Sequence, residues 1–144
     1  TVKVGNKLRL WGPRKSFDPP LETRRYFFIA EETSLAAIAA ILEHLPLLAE
    51  VTVVAEIDSP GDEVELRQEK HWKYKWLYRN GEGAGESSVM LDALIDIRPK
   101  SIENLFVFGA AEATQIAKVR ECLKKTWGLS KGQIYLTGYW RKGS

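Results

Sequence analysis

Cysteine, histidine and net charge are all scarce in this chain, and each shortage removes a class of function. Cys122 is the single cysteine among 144 residues. That excludes an internal disulfide and any cysteine-built metal cluster, and it suits a reducing, cytoplasmic compartment. The two histidines, His44 and His71, fall at a helix end and at the start of an edge strand, so no Ser/His/Asp set is assembled. A formal net charge of +2 is too small to argue for a nucleic-acid or membrane-surface partner. No apolar run approaches membrane-spanning length, and the N-terminus is not signal-like. Neither a GxGxxG nor a P-loop occurs, so the dinucleotide fingerprints are missing as motifs. The chain also begins at Thr1 without an initiator Met, as a piece cut from a longer protein would.

What is present is an alternation of strands and helices. The segment 25–46, RYFFIAEETSLAAIAAILEHLP, carries an apolar run at 26–30 that stops at Glu31, Glu32, Thr33 and Ser34. Leu35, Ile38, Leu42 and Leu45 then recur at helical spacing. This predicts a buried strand, a tight turn and a helix capped by Thr33 or Ser34. Apolar character on both faces points to a parallel sheet covered on both sides. Further strands are expected at 50–57, 72–78, 104–110 and 133–139, with helices through Met90–Ile95 and over 111–125. In the 72–78 strand Trp72, Tyr74, Trp76 and Tyr78 alternate with Lys73 and Lys75, so the aromatics pack inward and the lysines need water at a sheet edge. The same stretch could serve as a single-strand nucleic-acid platform, but the alternation explains it more simply. Asp18-Pro19-Pro20 cannot sit inside regular structure and marks a boundary. Residues 1–22 are therefore expected to be the end of a preceding domain with its linker, and residues 23–144 the main domain. The pattern βαββαβαβ predicts a Rossmann-like α/β fold of about five parallel strands, with the 26–30 and 104–110 strands adjacent at its centre.

In such a sheet ligands gather at the carboxyl ends of the strands. The first turn of the helix after Ser34 leaves backbone N–H groups for an anion, although this stretch alone favours an ordinary structural βα unit, and Glu31 and Glu32 would repel an anion unless they point elsewhere. Arg79 ends a strand beside a glycine-rich loop. It is suited either to grip a phosphate in bidentate fashion or to stand as a solvated loop arginine. Cys122, within a helix, reads as a half-buried structural thiol.

Three segments resemble the C-terminal half of the siderophore-interacting protein family, the flavin-dependent ferric-siderophore reductases. They are AEETSLAAIAAILEHLP at 30–46, FGAAEATQIAKVRECL at 108–123 and IYLTGYWRKG at 134–143. The family shows Gly-Asp-Glu-Thr-Ala-Leu-Pro-Ala-Ile in the first, Ala-Gly-Glu-Ala with a following Arg in the second, and Gly-Tyr-Trp-Arg in the last. The resemblance implies a ferredoxin-reductase-like domain that binds NADPH or NADH and passes hydride to FAD. The FAD would be held mainly by the protein's own N-terminal barrel, and it would reduce siderophore-bound Fe(III) and so release the iron. It also implies site residues. Glu32, Thr33 and Ser34 lie at the pyrophosphate, Arg79 at the adenosine 2′-phosphate, and Ala110, Ala111 and Glu112 near the nicotinamide. Tyr139 and Trp140 border the flavin, and Arg141 and Lys142 face the ferric siderophore. No catalytic side chain and no metal ligand is implied within this segment, which alone would be inactive. Ala30 and Ala111 replace family glycines, and their methyl groups stand where glycine allows close backbone approach. A different reading is a binding or interaction module that keeps the fold without using the nucleotide.

Overall fold

The structure is a computed structural model and describes residues 17–143. The expected barrel remnant therefore falls mostly outside the described residues. Five strands, β1 (Arg25–Glu31), β2 (Glu50–Ile57), β3 (Lys73–Tyr78), β4 (Leu105–Glu112) and β5 (Ile134–Trp140), alternate with α1 (Leu35–Glu43), α2 (Val89–Asp96) and α3 (Ala113–Lys125). Short 3-10 turns at Pro60–Asp62 and Lys131–Gln133 complete the set. The sheet is parallel throughout, in the order β3-β2-β1-β4-β5. As the apolar runs predict, β1 and β4 lie side by side at the centre.

The two faces of β1 separate two cores. Phe28 and Ala30 pack with Ile38, Ile41 and Leu42 of α1. Phe27 and Ile29 pack with Leu94 of α2 and Val119 and Leu123 of α3. Trp127 closes the second core, its ring edge-on to Phe27 at 5.0 Å and its Nε1 donating to the Leu94 carbonyl at 3.0 Å. Phe17, ahead of the expected domain boundary, is buried against Tyr26, Phe28, Phe106 and Phe108. It covers part of the sheet face beyond α1.

The edge strand β3 behaves as its alternation predicts. Lys73 and Lys75 are exposed, while Tyr74, Trp76 and Tyr78 pack on the α1-side core. Trp72 anchors its start by donating Nε1–H to the Ala49 carbonyl at 2.9 Å. One boundary differs from expectation. β4 runs on through Ala111 and Glu112, and α3 begins only at Ala113, because Glu112 stays extended (φ −61°, ψ 139°) and caps the helix. Cys122 is half-buried in α3, and burial pushes its thiol up.

Candidate functional site

The chain turns onto opposite faces of the sheet after β1 and after β4, so the strand order reverses between these two neighbours. In open α/β sheets that point leaves a crevice at the carboxyl ends of the strands. Helices α1 and α3 both start there, and β5 ends there, with Glu112 paired to Trp140 across a bulge. Gly138 permits this close approach, since a Cβ there would stand 2.9 Å from the Ala113 Cα. Glu31–Ser34, Ala110–Glu112 and Tyr139–Lys142 are thus brought to one edge.

At the end of β1, every side chain of the turn is engaged. Ser34 occupies the cap position of α1 but does not cap it; its Oγ accepts from the Glu31 N–H at 3.1 Å and donates to the Glu31 carbonyl at 3.3 Å. The Thr33 hydroxyl donates to Glu31 Oε1, and Trp140 Nε1 donates to the same oxygen at 2.8 Å. Glu31 is buried by these contacts. What the turn leaves open is backbone: the first turn of α1 has neither a side-chain cap nor an acidic residue.

Arg79 is not a solvated loop arginine. It is buried, with Nη1 donating to Glu56 Oε2 at 3.1 Å, Nη2 to Glu32 Oε2, and Nε to the Glu82 carbonyl at 3.3 Å. Gln115 Nε2 completes the cluster by donating to Glu56 Oε1 at 3.3 Å. Burial pulls the guanidinium down, but the two carboxylates outweigh it and hold Arg79 above its ordinary value. Burial pushes the Glu56 carboxyl up against the pull of Arg79. The guanidinium that the sequence offers as a phosphate contact is therefore found in an ion-pair network, its charge matched by two carboxylates. The reason is tertiary: the end of β2 places Glu56 beside it, and the turn after β1 supplies Glu32.

Glu112 is fully buried at the start of α3. Its Oε1 accepts from the Gln115 N–H at 2.9 Å and its Oε2 from the Lys142 N–H at 3.1 Å. Burial by itself would raise its pKa; donors from Gln115, Lys142 and Thr114 overcome this and hold the carboxyl at about 2. Gly85 (φ +82°) presses on it, and a Cβ there would meet Glu112 Cγ at 2.9 Å. The glycine-rich loop is thereby seated over the crevice end of β4.

Of the other expected site residues, Ala110 and Ala111 are buried and offer only backbone to the crevice. The methyl groups of Ala30 and Ala111 are likewise buried within the domain, so neither projects into open space. Tyr139 is exposed and Trp140 half-buried. Arg141 and Lys142 are exposed, and Arg141 has an interaction partner within the chain. Sequence reasoning missed Glu56, Gln115 and Gly85. A charged residue inside the apolar run of β2 was the available signal for Glu56. Among the described residues no His/Cys/Asp/Glu group could hold a metal ion, and no helix is long and apolar enough to cross a membrane.

Comparison with known proteins agrees with this architecture. The family model for siderophore-interacting protein matches residues 23–143. Ferric vibriobactin reductase ViuB of Vibrio cholerae is 29% identical over 143 residues, which is 99% of this chain and 52% of that protein. Ferric acinetobactin reductase of Acinetobacter baumannii is 23% identical, over 99% of this chain and 49% of that protein. The crystal structure of a siderophore utilization protein from T. fusca superposes with a TM-score of 0.79 at 30% identity, covering 90% of this chain and 49% of that one. The ferredoxin reductase in carbazole 1,9a-dioxygenase shares the fold, with a TM-score of 0.60 at 17% identity over 87% of this chain and 40% of that one. The chain spans about half the length of the curated relatives it matches. With its parallel five-stranded sheet, its crevice between β1 and β4 and a match spanning residues 23–143, this chain belongs to the siderophore-interacting protein family.

Proposed function

We propose that residues 23–143 are the NAD(P)H-binding half of a cytoplasmic, flavin-dependent ferric-siderophore reductase, preceded by a flavin-binding barrel of which residues 1–22 are the end and linker. One observation carries this reading: the first turn of α1 lies at the reversal of strand order with no side chain on its amides. Those amides and the positive end of the helix dipole fit a pyrophosphate. The first turn of α3 does not fit one, because Glu112 already fills it. Thr33 and Ser34 contribute by fixing the turn, since both hydroxyls are spent on Glu31. Ala110, Ala111 and Glu112 form the wall on the nicotinamide side. Tyr139 and Trp140 border the flavin in this reading, which the bond tying the Trp140 indole to Glu31 at the crevice supports. Arg141 and Lys142 present positive charge to an anionic ferric siderophore. When bound, the nicotinamide supplies a hydride to FAD, whose electrons reduce siderophore-bound Fe(III) to the more weakly held Fe(II).

The test is to titrate NADH and NADPH into the chain while following tryptophan fluorescence, alone and with a family flavin barrel supplied in trans. A saturable response to one nucleotide or both is expected. Its absence in both formats would remove the reading and leave a binding module that keeps the fold without the nucleotide.

A further inference from the structure

We infer that the adenosine end of this site is built for an unphosphorylated ribose, so that NADH is preferred over NADPH and Arg79 is a positioning residue. The inference rests on the nucleotide-binding reading above. In doubly wound sheets the ribose 2′-hydroxyl lies at the end of the second strand, where an acidic side chain about twenty residues beyond the glycine turn accepts its hydrogen bond. Here that place is the end of β2, and the cation beside it is Arg79. A 2′-phosphate would bring nearly two negative charges to this point.

Arg79 is already committed within the chain. Each of its three guanidinium nitrogens donates one hydrogen bond, to Glu56, Glu32 and the Glu82 carbonyl, and its single charge is matched by two carboxylates. Turning toward a phosphate would leave Glu56, whose side chain is 3% exposed, a buried carboxylate with only the neutral Gln115 amide as partner. The surroundings add to the repulsion. The segments 56–65 and 79–86 together hold seven carboxylates and one cation, Arg79 itself. Asp58, which accepts from the Gly81 N–H at 2.9 Å, ties these two segments together at the same edge. Arg79 against Glu32 and Glu56 leaves a net negative cluster. That cluster repels a phosphate monoester and accepts hydrogen bonds from ribose hydroxyls. Glu32 is suited to accept such a bond, because its side chain is 39% exposed and only Oε2 is taken by Arg79. Arg79 acts by holding Glu32 and Glu56 in place.

Calorimetric titration of the chain with 5′-AMP, 2′,5′-ADP, NADH and NADPH separates the outcomes. The unphosphorylated member of each pair is expected to bind about tenfold more tightly, the scale of one net like-charge contact screened nearly as in bulk water. NADPH binding as tightly as NADH, or more so, overturns the inference and leaves the nucleotide reading standing. Failure of all four to bind overturns both. The exposed variant Glu32→Gln removes one carboxylate from the cluster without touching the buried pair. It should shrink the preference for NADH over NADPH by about tenfold; an unchanged ratio would show that the Glu32–Arg79 pair does not set it.

Discussion

Two helices begin at the same edge of the sheet and treat their first amides in opposite ways. α3 receives an internal anion, the buried Glu112 carboxylate, which also takes the Lys142 N–H. α1 receives none, although Glu31 and Glu32 closely precede its cap residue. Both carboxylates are turned away, Glu31 by Thr33 and Trp140 and Glu32 by Arg79. A helix N-terminus is thus open to an external anion only where the protein keeps its own anions elsewhere. Here that restraint depends on residues far away in sequence.

The largest effect is expected where the restraint is buried. Arg79→Ala frees Glu32 and strands Glu56, and should lower the unfolding free energy by about 3–5 kcal/mol, the cost of removing one partner from a buried ion pair. Urea denaturation at neutral pH reads this directly. A loss below about 1 kcal/mol would mean that Glu56 finds other partners and that Arg79 does not hold the α1 end open.

Next comes the filled helix. Glu112→Gln keeps the shape but removes the charge, and should cost about 1.5–3 kcal/mol at neutral pH, the value of hydrogen bonds to a charged group. The sign of its pH dependence follows from the depressed pKa. The Glu112 contribution is complete above the ordinary value of 4.5 and is lost as pH falls toward about 2. The variant should therefore show a flatter loss of stability across that acid window. Equal slopes for both proteins would break the contrast between α1 and α3.

Gly85→Ala sharpens the same contrast more gently. A methyl group at φ +82° and 2.9 Å from Glu112 Cγ should cost about 1–3 kcal/mol, part backbone strain and part collision. Combined with Glu112→Ala, the steric part should disappear, so the two losses should sum to more than the double variant shows. The smallest effect is expected at the mouth of the crevice. Trp140→Phe removes the bond to Glu31 and part of a half-buried ring, but Thr33 still serves the same carboxylate oxygen, so the loss should be about 1.5 kcal/mol, the low end for a bond to a charged group. Its thermal midpoint should fall less than that of any variant above.

The order and type of all five strands and three α-helices, and the central pairing of β1 with β4, were legible in the residues alone; the two 3-10 turns were not. Hydrophobic periodicity is local, and runs such as Tyr26–Ala30 carry their burial in their composition. The sequence also brought Glu31–Ser34, Ala110–Glu112 and Tyr139–Lys142 to one edge, because parallel strands all finish on the same side. What the charged residues do there follows from contacts that exist only in the folded sheet. Arg79 meets Glu32 and Glu56 from two other strand ends, and Glu112 collects donors from α3 and from the chain beyond β5. Arg67, from the loop after β2, closes the far end of α1 by donating to the Leu42 and Leu45 carbonyls at 2.7 and 3.0 Å while lying over Trp72. Such pairings depend on strand register and loop path. A charged side chain carries no periodic signal that names its partner, so only the folded sheet reveals which charges are spent and which helix end is left open.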